Sequence, residues 1–114
     1  MAALLILALL LARTGTAAAH AFLDHADPRV GSTVTAPPAL TLVFTEPVEP
    51  AFSRIGVTGA GGKVETGSLA HPEPATLSIP LPPLAPGTYT VTWVVVSIDT
   101  HPTEGRFTFT VRGP

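Results

Sequence analysis

The 114-residue sequence predicts an all-β fold, a two-layer sandwich of about seven short strands. Three observations lead there. Apolar residues recur with period two: Leu40-Thr41-Leu42-Val43-Phe44-Thr45 and Arg106-Phe107-Thr108-Phe109-Thr110-Val111 alternate large apolar side chains with Thr, as half-buried strands do. Thirteen prolines and ten glycines interrupt the chain at intervals too short for ordinary helices. The 95 residues from His20 onward are enough for one domain with one core. Strands of this rhythm in a chain of this size describe an immunoglobulin-like Greek-key sandwich.

The elements follow in chain order. Ala2 to Ala12 form a Leu-rich apolar run, broken by Arg13-Thr14-Gly15-Thr16 and followed by Ala17-Ala18-Ala19. That is the pattern of a signal peptide cleaved after residue 19, although its n-region has no Lys or Arg. The run is too short for a stable bilayer-spanning helix, which needs about 20 apolar residues. The chain is thus expected to divide into a leader, 1–19, and a mature domain, 20–114.

Within the mature domain the longest strand is Thr88 to Val96. It places Tyr89, Val91, Trp93 and Val95 on one face, and its Val-rich end suggests burial on both sides. Shorter strands are expected at Arg54 to Thr58, Gly62 to Thr66 and Ala75 to Ile79. Breakers separate them at Pro37-Pro38, Glu46-Pro47, Gly59 to Gly62, His71-Pro72-Glu73-Pro74 and Pro80 to Pro83. The turn Leu84-Ala85-Pro86-Gly87 feeds the long strand and puts Tyr89 where its hydroxyl can cap that corner.

Composition narrows the function. The mature chain carries five basic side chains (Arg29, Arg54, Lys63, Arg106, Arg112) and eight acidic ones, a net charge of about −3. A nucleic-acid partner is unexpected, because such binding depends on clustered cations. Cysteine is absent, which removes thiolate metal sites and cysteine nucleophiles, so any metal chemistry must use nitrogen and oxygen donors. No Ser-His-Asp arrangement or phosphate loop is legible.

Two features carry chemistry. Cleavage after Ala19 would leave His20 with a free α-amino group, and the amine and imidazole of one residue can close a chelate ring on a metal ion. Downstream, Ser97-Ile98-Asp99-Thr100-His101-Pro102 lies in the loop before the Phe107 strand. In extended backbone, residues two apart project the same way, so Asp99 and His101 would aim a carboxylate and an imidazole at one spot. Taken alone the pattern is common, and an Asp capping its own turn beside a solvated histidine also accounts for it. Joined to an N-terminal histidine in a cysteine-free exported domain, the metal reading prevails. His25, between Asp24 and Asp27, and His71 are expected to be solvated loop residues. Trp93, Tyr89, Phe107 and Phe109 are expected in the core.

At these motifs the sequence resembles the CopC family of copper-binding proteins of the bacterial periplasm and cell envelope. The resemblance spans the mature chain: His20-Ala21-Phe22-Leu23, Asp27-Pro28, Gly31-Ser32, Phe44-Thr45-Glu46-Pro47-Val48, Gly87 to Trp93, and Ser97 to Gly105 leading into Phe107-Thr108-Phe109. It implies a cupredoxin-like β-sandwich holding one Cu(II) ion at the mature N-terminus. The implied ligands are His20, through its α-amine and Nδ1 in a histidine brace, His101, and a carboxylate oxygen of Asp99. Glu46 is a further candidate, either an acidic neighbour that orients the amine or an imidazole or an ordinary strand-end carboxylate. Three nitrogens and an oxygen suit tetragonal Cu(II) better than tetrahedral Zn(II). The amine, with a free pKa of about 7.7–8.0, and imidazoles near 6.5 must bind deprotonated, so copper should be lost in acid.

Two departures limit what carries over. Some relatives have a methionine cluster for Cu(I), whereas the sole methionine here is Met1. Position 22 is Phe where some relatives have histidine.

The implied function is copper resistance, buffering or delivery to a CopD-type inner-membrane importer by a monomeric, periplasmic or secreted protein that is not an enzyme. Two rivals remain. A copper oxidase of the lytic polysaccharide monooxygenase type also uses a histidine brace, but needs long substrate-holding loops for which 95 residues leave little room. A metal-free interaction sandwich is the other.

Overall fold

The computed structural model describes residues 20–113, so the expected leader lies outside the described residues. Nine strands form two sheets. One sheet has the order β1-β3-β7-β6, built from β1 (Leu23–Asp27), β3 (Ala39–Phe44), β6 (Ala70–Glu73) and β7 (Thr76–Pro80). The other has the order β2-β9-β8-β4-β5, built from β2 (Thr33–Val34), β4 (Arg54–Gly59), β5 (Gly62–Lys63), β8 (Gly87–Val96) and β9 (Pro102–Val111). Pairing is antiparallel throughout, except that β2 runs parallel to β9. Among the described residues no helix is long and apolar enough to cross a membrane.

The core follows from the expected alternation. Leu40, Leu42 and Phe44 of β3 face Tyr89, Val91, Trp93 and Val95 of β8 and Phe107, Phe109 and Val111 of β9, all buried. Phe44 meets Trp93 edge to face with ring centroids 5.3 Å apart, and Tyr89 stacks on Phe109 at 5.6 Å. Aromatic pairs in these arrangements add to what their burial alone contributes. Tyr89 also makes the expected corner contact, its hydroxyl donating to the Ala85 carbonyl at 2.6 Å.

Several expectations are corrected. The count rises from about seven strands to nine because β2 and β5 are only two residues long; the strand expected to reach Thr66 ends at Lys63. His71-Pro72-Glu73-Pro74, expected as a breaker, contributes to β6. Proline is admissible there because β6 is an edge strand, with no neighbour needing the missing N–H. The Val-rich end of β8 is fully buried on one face only, Val94 and Val96 on the other being half-buried. β9 starts at Pro102, four residues before the expected Arg106, because Val96 pairs with Pro102 and zips the β8–β9 hairpin to its end.

Replacing Tyr89 with Phe keeps the stacked ring and removes the corner hydrogen bond. The expected loss is about 1 kcal/mol, read in equilibrium denaturation as a lower midpoint with an unchanged slope.

Candidate metal centre

The zipping of β8 to β9 leaves a five-residue hairpin loop, Ser97 to His101. It is closed by the Ser97 amide donating to the His101 carbonyl at 3.1 Å and the Thr100 amide donating to the Ser97 carbonyl at 2.8 Å. Thr100 sits at φ +71°, a left-handed conformation that is costly for a β-branched residue. Asp99 and His101 therefore meet across a tight turn, not along the extended backbone expected from their spacing. Asp99 Oδ2 lies 3.2 Å from His101 Nδ1. If Nδ1 carries the proton and donates, Nε2 is the ring nitrogen left for another partner.

The segment 20–22 reaches the same place. Ala21 is fully buried. Its carbonyl accepts the Thr103 hydroxyl of β9 at 2.5 Å. One residue on, the Phe22 amide donates to Thr45 Oγ1 at 2.9 Å, and its carbonyl accepts the Thr45 amide at 2.8 Å. Residues 20–22 are thus tied to the far sheet through β9 and to the near sheet through the residue after β3. This tether brings the His20 ring edge to face against the His101 ring, centroids 4.7 Å apart, and Phe22 against the other side of His20 at 6.2 Å.

Electrostatics follow from the loop. The Asp99 carboxyl is held below the usual carboxylate range, first by the hydrogen bond from the Ser97 hydroxyl and then by the neighbouring His101; partial desolvation opposes both. Because the folded-state value is the lower one, this stabilisation is in place above the ordinary carboxylate pKa and is lost as pH falls through the depressed value.

The three residues singled out from sequence, His20, Asp99 and His101, therefore converge on one end of the sandwich. Among the described residues no three His, Asp or Glu side chains are grouped so as to hold a metal ion by themselves. In the full chain the His20 nitrogen is part of a peptide bond with Ala19, and the Asp99 carboxylate is engaged by Ser97 and His101. Glu46 is half-buried one residue beyond Thr45, and among the described residues no hydrogen bond or ion pair joins its side chain to His20, Asp99 or His101. His25 is exposed, Nδ1 paired with Asp24 at 2.7 Å. His71 is exposed, with Nε2 3.0 Å from the Pro74 carbonyl oxygen. Ser97, Thr45 and Thr103 were not singled out; small hydroxyl residues carry no spacing signal, and their roles arise only from long-range pairing.

The fold and this end together describe a class of small, cysteine-free β-sandwich proteins with two histidines and a carboxylate gathered at one end. Comparison with known proteins makes the class specific: residues 23–112 match the CopC domain model, and the chain belongs to the CopC family. It is 43% identical over 99 residues to protein YobA of Escherichia coli K12, covering 82% of this chain and 80% of that protein. It is 36% identical over 105 residues to copper resistance protein C of Pseudomonas syringae pv. tomato, covering 84% and 83%. Among solved structures, the crystal structure of PcoC, a methionine-rich copper resistance protein from Escherichia coli, superposes with a TM-score of 0.77 at 36% identity. That match covers 82% of this chain and 100% of PcoC. CopC from Methylosinus trichosporium OB3b gives 0.73 at 36% identity, covering 81% and 93%. The methionine richness in the PcoC description has no counterpart in this sequence, whose single methionine is Met1.

The tether predicts a separable effect. Thr103→Val keeps the side-chain shape and removes the bond to the Ala21 carbonyl. Stability should fall by about 1 kcal/mol, and amide hydrogen exchange should rise at Phe22 and Leu23 before it rises in β8.

Proposed function

We propose that signal peptidase cuts between Ala19 and His20, and that the mature protein, 20–114, is a monomeric carrier holding one Cu(II) ion in the periplasm or cell envelope. The His20 α-amine and Nδ1, a nitrogen of His101 and a carboxylate oxygen of Asp99 are the ligands. The observation that carries this reading is the meeting of the His20 and His101 rings at 4.7 Å, with the Asp99 carboxylate 3.2 Å from His101. Residues 81 positions apart are brought together at the one place where cleavage would add a chelating amine.

The donor chemistry agrees. Nitrogen and oxygen donors with no thiolate suit Cu(II), which stands highest in the divalent affinity order and takes tetragonal N,O sets. Relatives named copper resistance protein C support copper as the ion. The role is binding rather than catalysis: the ion is sequestered as a buffer or passed to a CopD-type inner-membrane importer. Phe22, 57% exposed and edge to face with His20, leaves an apolar group at the site's edge. Glu46, on the same side, is proposed as an outer neighbour that orients the terminal amine through water.

Mass spectrometry of the exported protein should find His20 first. Titration with Cu(II) should then give one tetragonal centre, read by electron paramagnetic resonance with about three nitrogens coupled. His20→Ala, or one extra residue ahead of His20, should weaken binding at least about a hundredfold, some 2.7 kcal/mol. Parent-like affinity in both variants would sink the assignment.

A further inference from the structure

The side chain that organises the loop is not one of the proposed ligands. Ser97 is 1% exposed, at the base of the hairpin loop. Its backbone is pinned by an isolated antiparallel bridge to Val48, in the segment between β3 and β4, flanked by the Glu49 amide on the Val96 carbonyl at 2.8 Å and the Ile98 amide on the Pro47 carbonyl at 3.3 Å. From that fixed point its hydroxyl donates to Asp99 Oδ1, and Oγ lies 3.2 Å from the His101 carbonyl oxygen. The Ser97 amide donates to that same carbonyl, and the Ser97 carbonyl receives the Thr100 amide.

The two oxygens of Asp99 are therefore inequivalent. Oδ1 is occupied from beneath by a buried hydroxyl, and Oδ2 points to the His101 ring. An Asp side chain on a loop otherwise samples several χ1 and χ2 states, and a free carboxylate can swing to meet a metal through both oxygens. A buried donor on one oxygen selects a single rotamer before any ion arrives.

We propose that Ser97 is a positioning residue of the metal centre: its hydroxyl holds Asp99 so that only Oδ2 is presented, in one-oxygen fashion, beside His101. This rests on the Cu(II) reading above. Monodentate presentation keeps the donor set at three nitrogens and one oxygen, the square array that Cu(II) prefers. Pre-setting the rotamer also lowers the ordering cost of binding. Neighbours that orient metal ligands characteristically contribute tenfold to a hundredfold in affinity.

The test uses the processed protein with Cu(II) alone as probe, in a competition titration against a coloured chelator and in paramagnetic resonance at saturating copper. Ser97→Ala should lower affinity about tenfold and shift the copper hyperfine splitting, while Thr110→Val, which removes a half-buried hydroxyl at the opposite end of β9, should change neither. In an Asp99→Ala background, adding Ser97→Ala should cost nothing further, because the hydroxyl acts through Asp99. Parent-like affinity and spectrum in Ser97→Ala would overturn the proposal, as would a penalty of equal size in the Asp99→Ala background. Failure of the copper reading is a different result, parent-like binding by His20→Ala.

One measurement needs neither metal nor variant. Three-bond couplings in the metal-free parent should report a single Asp99 χ1 rotamer, and an averaged value would overturn the proposal.

Discussion

The architecture of this end of the protein depends on the capture of three residues, 20–22, between the two sheets. Ala21 has no side chain beyond a methyl, so it can be fully buried where the sheets part, and its backbone is satisfied from both sides: Thr103 of β9 on its carbonyl, and Thr45 on the adjacent Phe22 amide and carbonyl. A buried backbone group without such partners would be costly. Once this segment is seated, His20 has one place to go, against His101. A segment outside the strands is ordinarily among the less ordered parts of a domain; here a few hydrogen bonds and one buried alanine give residues 20–22 a fixed place.

The opposing half of the site is built by a different device. The β8–β9 hairpin keeps its register through ten residue pairs, from Gly87 with Val111 to Val96 with Pro102. Only five residues remain to turn the chain, and the turn forces Thr100 into a left-handed conformation. Such strain persists only where the surroundings over-determine it, and here the surroundings are the Ser97 bonds and the bridge to Val48. The hairpin thus supplies the rigid half of this end, residues 20–22 are docked onto it, and His101 is left more than half exposed.

Much of the fold was legible in the sequence because alternation is a local consequence of burying one sheet face. The apolar faces of β3, β8 and β9 were readable residue by residue, and the Tyr89 corner followed from Pro86-Gly87 turning into a core strand. The failures are equally physical. β6 was hidden because an edge strand tolerates the proline that a central strand forbids. The early start of β9 was hidden because Pro102-Thr103-Glu104-Gly105 has no alternation, and it joins the sheet only because β8 is there to pair with it. Gly105 is required at that point, since a Cβ would lie 2.5 Å from the Trp93 ring.

By itself the sequence determined the β-sandwich and the aromatic core, and it marked His20, Asp99 and His101 as candidate ligands, because periodicity, turn chemistry and residue type are properties of short segments. It did not determine how those ligands meet. The Asp99–His101 pair was read as two like-facing positions on an extended strand, and it is instead the mouth of a strained turn whose geometry Ser97 sets. The placement of His20 depends on Thr45 and Thr103, which lie 25 and 83 residues away along the chain. Only closure of both sheets around the core brings those hydroxyls to residues 20–22, so tertiary structure alone set His20 against His101.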